Sequence, residues 1–250
     1  MTAAEILSAT EHHPYPLPSR PWLVHMTWRD LLFAHWPLTF EEVRRVTPAP
    51  LELQTFDGHA WVGVIPFVMD LSLRGVPVLI STPEINVRTY VSYRGIPGVY
   101  FFSLDLASVV GVLGARIGVG LPYWLAKMWA RRVPADRGYE VRYGSARVAD
   151  RADFWACYRP QQDDERAVFS PRPASLEHFL TERYCLYNVE RGKVYRVNIH
   201  HVCWPLQRAE AEIARNTMAA ANGISLPPNE PVLHFARELD VLCWAPERVG

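Results

Sequence analysis

PEINVRTYVSYRGIPGVYFFSL (Pro83–Leu104) alternates with period two from Ile85 to Tyr93. Ile85, Val87, Thr89, Val91 and Tyr93 share one face, while Asn86, Arg88, Tyr90 and Ser92 share the other. Gly95–Ile96–Pro97–Gly98 then supplies turn chemistry, and Val99–Leu104 resumes as a second strand, so the stretch reads as a hairpin. Upstream, HAWVGVIPFVMD (His59–Asp70) is apolar almost throughout, as a strand covered on both faces would be. Further strand signals lie at Tyr139–Val148, Phe154–Tyr158, Arg183–Asn188, Lys193–His201 and Leu233–Trp244. Strands dominate and helices are scattered between them. The expectation is an α+β, mainly β domain: a barrel or cone of antiparallel strands with a few short helices.

The expected helices are few. Thr39 and Glu42 form a T-x-x-E capping box, Leu38 and Val43 form a hydrophobic staple, and Pro48 and Pro50 stop the helix they open. Spacing predicts further helices over Asp105–Ala115, with Ser103 or Asp105 as N-cap, and over Leu121–Arg132, with Pro122 in its first turn. Ser175–Leu180 is a short helix, and Leu206–Ala221 is expected to be the longest, ending near Gly223. Gln161–Pro173 reads as a loop. Residues 1–21, rich in Pro, His and Ser, read as a loosely tied arm before a single domain over 22–250.

Composition excludes several classes. Lys+Arg and Asp+Glu both total 26, so no basic excess exists to neutralise a nucleic-acid backbone. Lys127 and Lys193 are the only lysines, so chemistry that needs an amine has two side chains to use. Cys157, Cys185, Cys203 and Cys243 sit in apolar or aromatic runs, as small buried hydrophobes do, and form no C-x-x-C pair. The N-terminus lacks a signal-peptide pattern, and the apolar stretch near Ala107–Gly120 is broken by Arg116 and glycines. A cytoplasmic protein that does not engage membranes is expected. No G-x-G-x-x-G, P-loop, H-E-x-x-H or G-x-S-x-G occurs, and no cofactor or metal is expected.

Four constellations could carry chemistry. Glu84 and Arg88 share the polar face of the first strand; in a barrel that face is either solvated or lines a pocket. Arginine suits carboxylate recognition and glutamate suits proton transfer. His200 and His201 are adjacent, so on a strand they point to opposite faces and do not share one metal; His200 is a candidate acid/base group, and a packed core histidine is the plain alternative. Glu182, within Thr181–Tyr184, is either a binding carboxylate or part of a salt-bridged strand entry. Tyr123 and Lys127 are neighbours if Leu121–Arg132 is helical, Lys127 being either an activated amine or a surface lysine.

Seven strings in order are similar to the YqjF-like family of the acetoacetate-decarboxylase-like superfamily: MTWRDLLFAHWPL (Met26–Leu38), PEINVRTYV, GVYFFSLD (Gly98–Asp105), LPYWLAKM (Leu121–Met128), LTERYCLY (Leu180–Tyr187), IHHVCWPLQ (Ile199–Gln207) and LHFARELDVLCW (Leu233–Trp244). The resemblance runs from about residue 22 to the C-terminus. It implies a β-rich double barrel or cone around a buried pocket, and oligomers. It names no reaction. In acetoacetate decarboxylase the proline matching Pro122 is followed by two lysines, one forming a Schiff base and the other lowering its pKa; Tyr123 and Trp124 stand there instead. Arg29 does match, which implies a carboxylate-binding role.

Three functions stay open. An enzyme would hold the carboxylate of a small carboxylate or carbonyl compound on Arg29 or Arg88, with Glu182 a further substrate-binding candidate, and move protons with Glu84, Tyr123 or His200, without an imine. A non-catalytic protein would bind a small apolar molecule in the same cavity. An assembly protein would use its aromatics as core and interface.

Overall fold

The computed structural model describes residues 1–76, 79–107, 120–136, 138–161 and 167–250. In chain order the elements are α1 (Ala3–Ser8), β1 (Val24–Leu38), α2 (Phe40–Arg44), β2 (Glu52–Leu53), β3 (Ala60–Leu73), β4 (Leu79–Tyr93), β5 (Ile96–Leu106), β6 (Tyr123–Pro134), β7 (Tyr139–Arg147), β8 (Asp153–Pro160), α3 (Leu176–Thr181), β9 (Cys185–Glu190), β10 (Lys193–His200), β11 (Leu206–Asn216), β12 (Val232–Cys243) and β13 (Glu247–Arg248). A 3-10 turn at Ala220–Asn222 follows β11.

The strands close on themselves. Pairing runs β5–β6–β7–β8–β11–β12–β1–β3–β4 and returns through β4–β5, a barrel of nine strands. It is mixed, because β5 runs parallel to β6. A second circuit leaves β5 by its parallel pairing with β9 and returns from β10 to β12. The two circuits share β12, β1, β3, β4 and β5.

The shared strands therefore carry core on both faces. On β3, Val62 and Val64 belong to the core of the nine-stranded barrel, while Ile65, Phe67 and Met69 belong to that of the smaller circuit. On β1, Leu32, Ala34 and Trp36 face one interior, Leu31 and Phe33 the other. This is why His59–Asp70 is apolar almost throughout. A bulge at Asp30 (φ 53°) switches the parity of β1, so that Trp28 and Leu31 serve the same core. The strained residue is held from three sides. Arg132 grips its carboxylate at 2.7 and 3.0 Å, Tyr139 donates to it at 2.6 Å, and Tyr158 donates to its backbone oxygen at 2.8 Å.

α2 has the expected cap: the Thr39 hydroxyl accepts from the Glu42 N–H, and the Glu42 carboxylate accepts from the Thr39 N–H. Leu38 and Val43 are buried in one cluster. Residues 1–21 are anchored, not loose. Ile6 on α1 is fully buried with Leu242 and Trp244, and Trp244 Nε1 donates to the Arg20 oxygen at 2.7 Å. Among the described residues, no helix is long and apolar enough to cross a membrane. The helix expected over Asp105–Ala115 lies mostly outside the described residues; Asp105 itself ends a strand.

Two expected helices are strands. Leu121–Arg132 becomes β6, where Ala126, Met128 and Ala130 turn inward. Leu206–Ala221 becomes β11, with Ala209, Ala211 and Ile213 inward and Arg208, Glu210 and Glu212 outward. Leu, Ala, Glu and Arg favour helix locally, but β6 links β5 to β7 and β11 links β8 to β12. Without them the barrel would have unpaired edges, and that long-range requirement overrides propensity.

Arg147 makes a buried ion pair inside this frame. Its Nη2 lies 2.7 Å and its Nε 3.0 Å from Asp105, and its guanidinium stacks 5.0 Å from the Trp124 ring. Arg147→Met should cost about 3–5 kcal/mol by stranding a buried carboxylate. Adding Asp105→Asn should recover a large part of that loss. Urea unfolding of both singles and the double variant measures the coupling; strictly additive losses would show that the pair does not act as a unit.

Candidate functional site

The polar face of β4 looks into the smaller circuit. Its four side chains sit in successive rungs. Glu84 lies between Phe67 and Leu106, Asn86 between Ile65 and Leu104, Arg88 between Gly63 and Phe101, and Tyr90 beside Val99. Glu84, Asn86 and Tyr90 on this face are buried and Arg88 is half-buried, so the face is interior rather than solvated. The rung at Gly63 is open because that residue has no side chain. A Cβ there would stand 2.8 Å from His35 Nε2, so His35 on β1 can lean across toward Tyr90.

Glu84 and Tyr123 meet: the tyrosine hydroxyl donates to Glu84 Oε2 at 3.1 Å. Burial pushes the Glu84 carboxyl up to about 7. Hydrogen bonds from Tyr123 and Asn86 pull the other way, and the charge of Asp105 adds to the rise. Burial and the neighbouring carboxylate hold Tyr123 well above 10. The Glu84 backbone is fixed from the other interior, where Tyr143 donates to its carbonyl at 2.7 Å. The result is a carboxyl near half-protonation at neutral pH with a phenol against it, a proton donor–acceptor pair in a desolvated place.

Farther along β4, Arg88 Nη2 donates to the Leu180 carbonyl at 3.2 Å, and its guanidinium lies over Phe33 and Tyr90, 5.4 and 5.7 Å from their centroids. Tyr90 donates to the same carbonyl at 2.7 Å, so its oxygen accepts from His35 Nε2 at 2.6 Å. That assigns the Nε2–H tautomer and leaves Nδ1 a lone-pair acceptor. Burial, with Arg88 and His234 nearby, holds His35 well below its usual range, hence neutral. Among the described residues, His35 Nδ1, Arg88 Nε, Asn86 Oδ1 and Trp204 Nε1 are buried without a hydrogen-bond partner. Such atoms are costly unless something polar meets them.

The other expected residues lie elsewhere. Arg29 stands before the bulge on an outer face, where Nη2 meets Asp70 Oδ1 at 2.7 Å and Ser81 at 3.4 Å. Both Glu182 oxygens are used: Oε1 accepts from the Trp204 N–H at 2.9 Å, and Oε2 accepts from the Tyr184 hydroxyl. His200 Nε2 donates to the Ile6 carbonyl at 2.9 Å, with its ring among His12 and His13; burial lowers its pKa to about 4. His201 instead packs on Tyr184 and Trp204. Lys127 is exposed on β6, four residues along an extended strand from Tyr123, roughly 13 Å of rise, so the helical juxtaposition with Tyr123 does not form. No group of three or more potential metal ligands exists among the described residues. A surface depression of about 300 Å³ lies away from this site, over Glu140, Cys157, Arg159, Glu210 and Glu212.

His35, Tyr90 and Phe33 belong to the site and were not singled out from the sequence. The available signal was a histidine in LLFAHW, an otherwise apolar run on a strand covered on both faces.

A profile of the DUF2071 family, described as an uncharacterized conserved protein (COG2071), matches residues 25–240. The chain belongs to this family. The Bacillus subtilis (strain 168) protein described as "Uncharacterized protein YqjF" is 45% identical over 233 residues, covering 91% of this chain and 93% of its own. Solved structures show the fold. The enduracididine biosynthesis enzyme MppR complexed with pyruvate superposes with a TM-score of 0.63 at 12% identity, covering 96% of this chain and 95% of that one. Acetoacetate decarboxylase from Legionella pneumophila superposes with a TM-score of 0.60 at 15% identity, over 98% and 95%. The fold is acetoacetate-decarboxylase-like, with a tyrosine meeting Glu84 at the first of the two positions after Pro122.

The Glu84 shift fixes a pH dependence of stability. Its ordinary value is 4.5 and its folded value about 7, so the folded state binds the proton more tightly. Stability from this group is full below pH 4.5 and is lost as pH rises through 7, on the order of 3 kcal/mol in all. Glu84→Gln should flatten that slope. Tyr123→Phe, which removes a bond that lowers the value, should move the titration higher. Infrared titration of the protonated carboxyl band in the three proteins measures this; a Glu84 band lost below pH 5 would refute the assignment.

Proposed function

We propose that the smaller circuit binds a small carboxylate or carbonyl compound and that Glu84 and Tyr123 move a proton on it without a lysine imine. The Glu84–Tyr123 pair carries the reading. A carboxyl held near 7 can both accept and donate at neutral pH, and a general acid–base group of that kind contributes about 10²–10⁴-fold to a rate. Arg88 would take the ligand's carboxylate, since a guanidinium over two aromatic rings keeps its charge while presenting planar donors. His35 Nδ1 would accept from a hydroxyl or enol on the same ligand. Similar folds support the ligand class: one neighbour is described as complexed with pyruvate and another as an acetoacetate decarboxylase. Nothing at Tyr123 or Trp124 can form a Schiff base, so proton abstraction or donation beside a carbonyl is the step this set can run.

The second reading is a binding protein without turnover. The aromatic wall favours it: Trp28 and Trp204 stack at 5.7 Å, and Trp204 meets Phe33 edge-on at 4.8 Å. It would carry a ligand through purification, visible by native mass spectrometry, with no turnover of it.

A panel of small 2-oxo and 3-oxo acids, followed by proton NMR in D₂O, reads both product formation and exchange of the hydrogens beside the carbonyl. Turnover or exchange should fall about 10²–10⁴-fold in Glu84→Gln. Arg88→Met should raise KM more than it lowers kcat. Borohydride should leave no adduct on Lys127 or Lys193. Activity intact in Glu84→Gln, or a trapped lysine adduct, would overturn the proposal.

A further inference from the structure

The outer face of β6, β7, β8 and β11 is unlike the rest of a solvated barrel wall. Trp129, Gly144 and Trp155 stand in one rung across three strands. The Trp129 ring lies over Gly144, where a Cβ would meet it at 2.5 Å, and meets Trp155 edge-on at 6.0 Å. Both tryptophans remain open to solvent, 36% and 43% exposed, so covering the glycine accounts for the place of one ring and the exposure of neither. Tryptophan is rare on open surfaces and enriched where proteins meet.

Charge on this face is divided. β6 carries Lys127 and Arg131, and β11 carries Glu210 and Glu212 between Arg208 and Arg215, the latter paired with Asp153. Glu210 is paired with Arg159 at 3.2 Å. Among the described residues, Lys127, Arg131 and Glu212 form no ion pair. Trp155 stands on β8 between the two edges, and Trp129 stands on β6 with its ring over Gly144 of β7. A twofold axis parallel to the strands, over the gap between β7 and β8, turns the basic edge of one copy onto the acidic edge of another. Arg131 and Glu212 lie in the same rung, Arg131 opposite Arg142, Arg142 opposite Cys157 and Cys157 opposite Glu212, so such an axis also matches them along the strands. The surface is complementary to itself, which is what an isologous dimer requires.

We propose that this face is the contact between two copies of the chain, with Trp129 and Trp155 as its apolar centre and Arg131–Glu212 pairs across the twofold. The site around Glu84 lies in the smaller circuit, which includes neither β7, β8 nor β11, so the inference is independent of the proposed chemistry.

Sedimentation velocity of the full chain over a dilution series tests it. The chain should sediment as a dimer that dissociates on dilution. Trp155→Asp, at an exposed position, should weaken the dimer about tenfold or more. Arg131→Glu and Glu212→Arg should each weaken it, and the two together should restore it, because reversed charges meet again across the axis. The restoring pair also guards against a variant that merely fails to fold, which circular dichroism would report. A monomer at every concentration overturns the proposal. So does an assembly indifferent to Trp155→Asp and to both charge reversals, which would place self-association on another face.

Discussion

Five strands serve two closed circuits, and so their central stretches are covered on both faces. Everything distinctive about the site follows from that constraint. A polar residue on an ordinary barrel strand can turn outward and be solvated. On β4 one face fills the nine-stranded barrel and the other fills the smaller circuit, so Glu84, Asn86 and Tyr90 are buried and Arg88 is half-buried. The cost of burying them is met only in part. Tyr123 and Asn86 bond Glu84, the Leu180 carbonyl serves both Arg88 and Tyr90, and His35 closes on Tyr90. Four polar atoms are left over on this side, donors and acceptors both.

The exchange of lysine for tyrosine changes what such an interior can do. An amine pair would repel, lower one pKa and generate a nucleophile. A tyrosine against a glutamate differs: burial raises both values, Glu84 raises that of Tyr123 further, the phenol's hydrogen bond holds that of Glu84 down, and neither attacks a carbonyl at neutral pH. Arg29 gives a parallel lesson. It matches the superfamily pattern in sequence, yet the Asp30 bulge leaves it on the far side of the parity switch, bonded to Asp70.

Legibility in the sequence followed the range of the interaction. The β4–β5 hairpin and the α2 capping box rest on neighbours, and both were readable. The doubly covered β3 was readable because two buried faces leave a plain apolar run. β6 and β11 were not: their Ala, Leu, Glu and Arg content favours helix, and the reason they are strands lies in β5, β7, β8 and β12. The site split the same way. Glu84 and Arg88 emerged from the period of one strand. His35 did not, since its role depends on Gly63 across a rung and on Tyr90 beyond it. Glu182 and His200 are buried polar residues whose partners, the Trp204 N–H and the Ile6 carbonyl, come from distant parts of the chain.

A crystal of the chain soaked with a slow-reacting 2-oxo acid puts the whole reading at risk in one step. Density for the ligand should lie inside the smaller circuit, its carboxylate on Arg88 and its oxo group facing Glu84 and Tyr123. Density confined to the outer surface, with none beside Glu84, Tyr123 or Arg88, would contradict a site there.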